Sequence, residues 1–113
     1  MLRDPLLYLD ELIEAAQRAC EFGNGLERGR YQPGGMAFEA IVRQIEIIGE
    51  AAGHIPEAIQ TQAPGIPWAN LIGMRNRLIH GYFAVDPDIV WSVVHDKLPA
   101  LLPEFRKLLE KRS

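Results

Sequence analysis

The sequence predicts an all-α protein, a bundle of four to five helices forming one domain over residues 1–113. Three observations predict it. Apolar residues recur at three- and four-residue steps almost throughout. No segment alternates with the two-residue period of a strand, and Asp-Pro pairs stand where two helices should begin. Hydrophobic residues make up 48% of the chain and charged residues 24%, a globular composition. A chain of 113 residues buries roughly two-thirds of the surface its unfolded form exposes, enough for a core without staples.

The first helix starts at Asp4-Pro5, an N-cap followed by a proline where a missing N–H is harmless. Leu6, Leu9, Ile13, Ala16 and Cys20 form its stripe, and Gly23-Asn24-Gly25 ends it. Residues 26 to 35 connect it to a second helix over about Met36 to Ala52. There Phe38, Ile41, Ile45, Ile48 and Ala52 face inward, and the small residues Gly49, Ala51 and Ala52 permit another helix to approach closely. Ile55-Pro56-Glu57 opens a short helical piece that fades before Ala63-Pro64-Gly65. Pro67 starts a third long helix carrying Trp68, Leu71, Ile72, Leu78 and Ile79, which should stop near His80 because Gly81 suits the position after a helix. Asp86-Pro87 opens the last stretch, to about Glu110, with Ile89, Val90, Val93, Val94, Leu98, Leu101, Phe105 and Leu108 inward. Pro99 and Pro103 should kink or divide it.

Several function classes are disfavoured. The single Cys20 excludes an internal disulfide framework, and no Cys/His cluster has zinc spacing. Fifteen acidic against twelve basic residues leave a net charge of −3, which argues against indiscriminate binding to nucleic acid. The longest uncharged stretch, Ala58 to Met74, holds two prolines, two glutamines and an asparagine and is no membrane span. Nothing at the N-terminus reads as a targeting signal, so a cytoplasmic protein without membrane attachment is expected.

His54 and His95 read as surface or interface residues. His80 differs in its company, the run Arg75-Asn76-Arg77-Leu78-Ile79-His80-Gly81-Tyr82. Asn76 and His80 share a helix face, so the amide can orient the imidazole. Arg75 lies roughly 140° from His80 around a straight helix. Either the helix end distorts, or the site is assembled where two chains meet. Arginine and histidine together suit phosphate chemistry without a metal, one as a fixed fork of donors and the other as a proton carrier. The same group also makes a sound helix ending, since basic side chains oppose the negative end of the dipole.

The run from Gly73 to Phe83, continuing through Val85-Asp86 and Ile89-Val90-Trp91, resembles the HepT-like branch of the HEPN superfamily. Arg75, His80 and Tyr82 match its R-x4-H-x-Y hallmark. Arg43 to Ala52 is similar to its second-helix signature, and Pro67-Trp68 and Leu98-Pro99-Ala100-Leu101 also fit. The resemblance implies an all-helical HEPN-type homodimer and a metal-independent endoribonuclease acting as toxin of a type VII toxin–antitoxin module, on RNA such as tRNA. It implies Arg75 and His80 as catalytic residues in a cleft between two protomers, with Asn76 in support. It also implies a partner, an MntA-like nucleotidyltransferase antitoxin that uses ATP to AMPylate Tyr82, with no cofactor in the nuclease itself. A tethered phosphate at Tyr82, within reach of Arg75 and Arg77, then competes with an incoming RNA phosphate.

Glu50 is a further candidate support, able to hold an interface or motif arginine, or simply a solvated carboxylate. Trp68 and Trp91 read as core or interface anchors, and Arg28, Arg30 and Arg43 as solvated surface mixed with acidic residues. A rival reading is a non-catalytic nucleotide- or partner-binding subunit docked beside a nucleotidyltransferase.

Overall fold

Asp4 caps the first helix as its sequence requires: its Oδ1 accepts from the Leu6 N–H at 2.9 Å, and Pro5 occupies the first turn. The computed structural model describes residues 4–26, 35–80 and 86–112, with backbone alone for 77–80. In order they form α1 (Pro5–Gly23), α2 (Met36–His54), the short α3 (Glu57–Gln60), α4 (Trp68–His80), α5 (Pro87–Ser92) and α6 (Leu98–Arg112), with a π-helical segment, Val93–Lys97, joining the last two. The described residues are thus all-α: four long helical stretches, the last composite, and one short helix. Most of the connection expected over 26 to 35 lies outside the described residues.

The core is laid down where α1 crosses α2 and where α6 closes over α1. The expected stripe of α2 is buried at every position: Phe38, Ile41, Ile45, Ile48 and Ala52. On α1 the buried face is wider than one stripe. Leu9 and Ala16 are joined by Leu12, Ala15 and Ala19, while Leu6, Ile13 and Cys20 are only half-buried. The reason is that α1 packs against two elements at once. Val90, Val93, Val94, Leu98, Phe105 and Leu108 face inward as expected, with Leu102 in place of the half-buried Leu101. Ile89 does not. It is 49% exposed in the first turn of α5, ahead of the point where the composite helix comes down on α1.

Asp86 repeats the role of Asp4, its Oδ1 accepting from the Asp88 N–H at 2.8 Å. The break expected at the prolines falls just before Pro99, while Pro103 sits inside α6 without interrupting it. The Leu98 N–H bonds back to the Val93 carbonyl instead of that of Val94. Five residues beyond Val94 stands Pro99, which has no N–H to give. Deprived of both main-chain donors, the Val94 carbonyl accepts the Cys20 thiol at 3.7 Å. Gly23 lets this segment sit tightly on the end of α1, since a Cβ there would lie 2.5 Å from a Val94 methyl carbon.

Trp68 anchors the start of α4. It is buried, and its indole N–H reaches the Ala63 carbonyl at 3.2 Å. Trp91 stacks under His95, with ring centroids 3.8 Å apart. Among the described residues no helix is long and apolar enough to cross a membrane.

Candidate functional site

Helix α4 carries the candidate residues and is seated almost wholly against α2. It stays helical through His80, so no distortion intervenes between Arg75 and His80. Positions 75 and 80 therefore stand roughly 140° apart about the axis, as in a regular helix. The first of the two alternatives left by the spacing, a distorted helix end within that interval, is removed. The side chains of Arg77 and His80 lie outside the described residues, as does Tyr82.

Arg75 is half-buried, and its root rests on α2 at Gly49. A Cβ on Gly49 would overlap the Arg75 Cβ and stand 2.9 Å from the Leu71 carbonyl oxygen. Small residues on one helix thus admit another at backbone distance, and here they do so under the arginine of the motif. Among the described residues the Arg75 guanidinium has no hydrogen-bond or ion-pair partner, so its five donors are unspent. Asn76, next on α4, is exposed.

Glu50 goes elsewhere. One residue past Gly49 turns it about 100° around α2, and it lines two adjoining clefts on the α1 side together with Glu11 and Ile47. No ion pair joins it to Arg75. One of these clefts also holds Arg18, paired to Glu14 at 2.5 Å, and the side chain of Gln44, which is 9% exposed and whose Oε1 has no partner among the described residues. The other ends at His54, stacked on Tyr8 at 4.8 Å between centroids. Arg43 is exposed and pairs with Glu46 at 3.3 Å, which leaves it as solvated surface. Arg28 and Arg30 lie outside the described residues.

A mostly apolar cavity of about 490 Å³ opens beside α4, between Ile45 and Ile48 of α2, Leu71 and Met74 of α4, and Leu98 and Leu101 of α6, with Asn70 and Lys97 as its polar members. Sequence reasoning did not point to it, because it arises from how three helices diverge. His95 was read as a surface or interface residue. It is half-buried, and its Nε2 is enclosed without a partner among the described residues. Burial raises the pKa of the Cys20 thiol, with the Glu21 carboxylate adding to the shift. Among the described residues no cluster of three His, Cys, Asp or Glu side chains is placed to hold a metal ion.

Comparison with known proteins gives a consistent result. Residues 12–108 match the family model described as Ribonuclease HepT-like. A Thermococcus cleftensis protein named "Probable ribonuclease HepT" is 36% identical over 101 residues, covering 89% of this chain and 92% of its own length. "Putative RNase MJ1380" of Methanocaldococcus jannaschii is 32% identical over 102 residues, covering 90% and 94%. No solved structure matches the chain.

Proposed function

The chain belongs to the HepT-like ribonuclease family, and on that premise we propose that it is a metal-independent endoribonuclease whose site is shared between two copies of the chain. The observation that carries the reading is the Arg75 guanidinium, without a partner among the described residues, rooted on α2 and carried by a helix that remains regular through His80. One regular helix does not aim positions 75 and 80 at the same small group. A two-fold arrangement answers this, because isologous surfaces supply two arginines and two histidines to a common groove.

In the proposed reaction Arg75 holds the scissile phosphate and stabilises the charge that develops on its oxygens. His80 of one copy takes the proton from the 2′-hydroxyl as that oxygen bonds to phosphorus. The bond from phosphorus to the 5′-oxygen breaks, and His80 of the second copy protonates the departing oxygen. The products are a 2′,3′-cyclic phosphate and a 5′-hydroxyl. Asn76 orients the imidazole, and Arg77 adds positive charge beside it.

We extend the proposal, by family analogy, to a cytoplasmic toxin of a type VII toxin–antitoxin module acting on tRNA. Residues 1–113 are taken as a single HEPN domain, and no cofactor serves the nuclease. Its antitoxin would be an MntA-like nucleotidyltransferase that uses ATP to AMPylate Tyr82, placing a tethered phosphodiester where the substrate phosphate binds. Glu50, facing α1, would support the site only through α2 or through a second copy.

The test is incubation of the purified protein with total RNA, wild type against His80→Ala and Arg75→Ala, with product ends mapped. Cleavage by wild type should survive excess chelator and vanish in both variants, while the oligomeric state stays unchanged. Full turnover by His80→Ala, or its loss on chelation, would overturn the mechanism. The net charge of −3 favours one rival, a non-catalytic subunit that holds a nucleotide or partner through Arg75, Asn76 and Tyr82. That rival expects no cleavage by wild type.

A further inference from the structure

Helix α2 presents two glycines to α4, one helical turn apart, and their surroundings differ. A Cβ on Gly53 would find a single neighbour, Ile72 Cγ1 at 4.0 Å, which is ordinary contact. A Cβ on Gly49 would overlap the Cβ of Arg75 and meet the Leu71 carbonyl oxygen at 2.9 Å and the Arg75 Cα at 3.3 Å. None of these three atoms is the far end of a flexible side chain. The main chain and root of α4 occupy that space, so a methyl group at position 49 is accommodated only by moving the helix.

We infer that Gly49 is the positioning residue for Arg75. This rests on the reading of Arg75 given above and deepens it. An arginine side chain has several rotatable bonds, and where its fork ends up depends first on where its root is held. With no side chain at position 49, the Arg75 Cα and Cβ lie directly on the α2 backbone. That contact sets both the depth of the root and the side on which the chain leaves α4. The guanidinium is left without a partner among the described residues, held at its base and free at its tip. Such an arrangement suits a group that must meet a phosphate in one place. A displacement near 1 Å at a reacting centre costs on the order of a hundredfold in rate.

The test uses the full chain as wild type, Arg75→Ala, Gly49→Ala, Gly53→Ala and the Gly49→Ala/Arg75→Ala double variant. The first readout is affinity for a single-stranded RNA made uncleavable by 2′-deoxy substitution, measured across a salt series. One lost phosphate contact lowers the slope of log affinity on log salt by about 0.7. Arg75→Ala should lose that increment, Gly49→Ala should lose the same increment, and the double variant should lose no more than Arg75→Ala. Gly53→Ala should keep the wild-type slope. Cleavage of unmodified RNA should fall about a hundredfold in Gly49→Ala and stay at the wild-type rate in Gly53→Ala.

A folded Gly49→Ala with wild-type slope and rate, alongside a defective Arg75→Ala, overturns this inference and leaves the catalytic reading standing. A double variant that loses a second increment overturns it too, since Gly49 would then act apart from Arg75. An Arg75→Ala with wild-type slope and rate overturns the catalytic reading itself. If Gly49→Ala does not fold in plain buffer, the slopes and rates of all five proteins are compared in an osmolyte that favours the compact state. A Gly49→Ala that folds there and lacks the increment supports the inference; one with wild-type slope and rate overturns it, and one that stays unfolded overturns it too, since Gly49 would then hold the fold itself and not place the arginine.

Discussion

Replacing His95 by phenylalanine should stabilise the protein, although the histidine is half-buried and already stacked on Trp91. The imidazole stacks on Trp91 at 3.8 Å between centroids, and its Nε2 is enclosed with no hydrogen-bond partner among the described residues. A buried polar atom left unsatisfied costs about 1–3 kcal/mol, and replacing it with an apolar atom of similar shape removes that cost. Phenylalanine keeps the aromatic stack, itself worth about 0.5–1.5 kcal/mol. The expected gain is about 1–2 kcal/mol, read as a rise in Tm of about 5 °C or more for a chain of this size. Urea melts at several protein concentrations separate this gain from any change in self-association. His95→Gln, which keeps a polar end in the same place, should show no such gain. If phenylalanine lowers the midpoint, or glutamine raises it equally, the enclosed nitrogen was not an uncompensated cost.

Four further outcomes follow from the structure. The raised pKa of Cys20 leaves less thiolate at pH 8 than an exposed cysteine has, so alkylation by iodoacetamide should be slow in the native state and speed up in denaturant; equal rates in both would contradict it. Because the folded-state value is the higher one, Cys20's contribution to stability is present below its ordinary value of 9.0 and is lost as the pH climbs beyond it, which urea midpoints at alkaline pH would report against Cys20→Ala. Phe105, fully buried, should cost about 3–5 kcal/mol as alanine, read from the shift in urea midpoint. Asp86→Ala removes a 2.8 Å cap and should cost about 0.5–2 kcal/mol, with early hydrogen exchange confined to the first turn of α5.

Much of this architecture was legible because its signals are local. Asp4-Pro5 and Asp86-Pro87 specify helix starts through a side chain and a ring, and both caps form. The α2 stripe reads cleanly because residues 38, 41, 45, 48 and 52 share one face, and α4 is helical up to His80. What escaped depends on neighbours distant in sequence. The breadth of α1's buried face reflects two packing partners, and Ile89 is exposed because the helix that bears it reaches α1 only later. The π-helical segment leaves no mark in hydrophobic periodicity, and Pro99 is its one local sign. For the candidate site, the small residues of α2 announced a close helix approach, but not that Arg75 stands at the point of closest approach. Nor did they show that Glu50 turns toward α1.

The π-helical segment also changes how the chain tolerates a change in length. It carries one surplus residue in a wider turn, and the faces before and after it both point at the core: Val90 on one side, Leu98, Phe105 and Leu108 on the other. Deleting a residue within α6 would swing everything downstream by about 100° and turn Phe105 toward water. Deleting one between Val93 and Lys97 would tighten the loop of backbone to an ordinary turn and leave both faces in phase. A shortened copy of the chain can therefore lose a residue there and still close the same bundle.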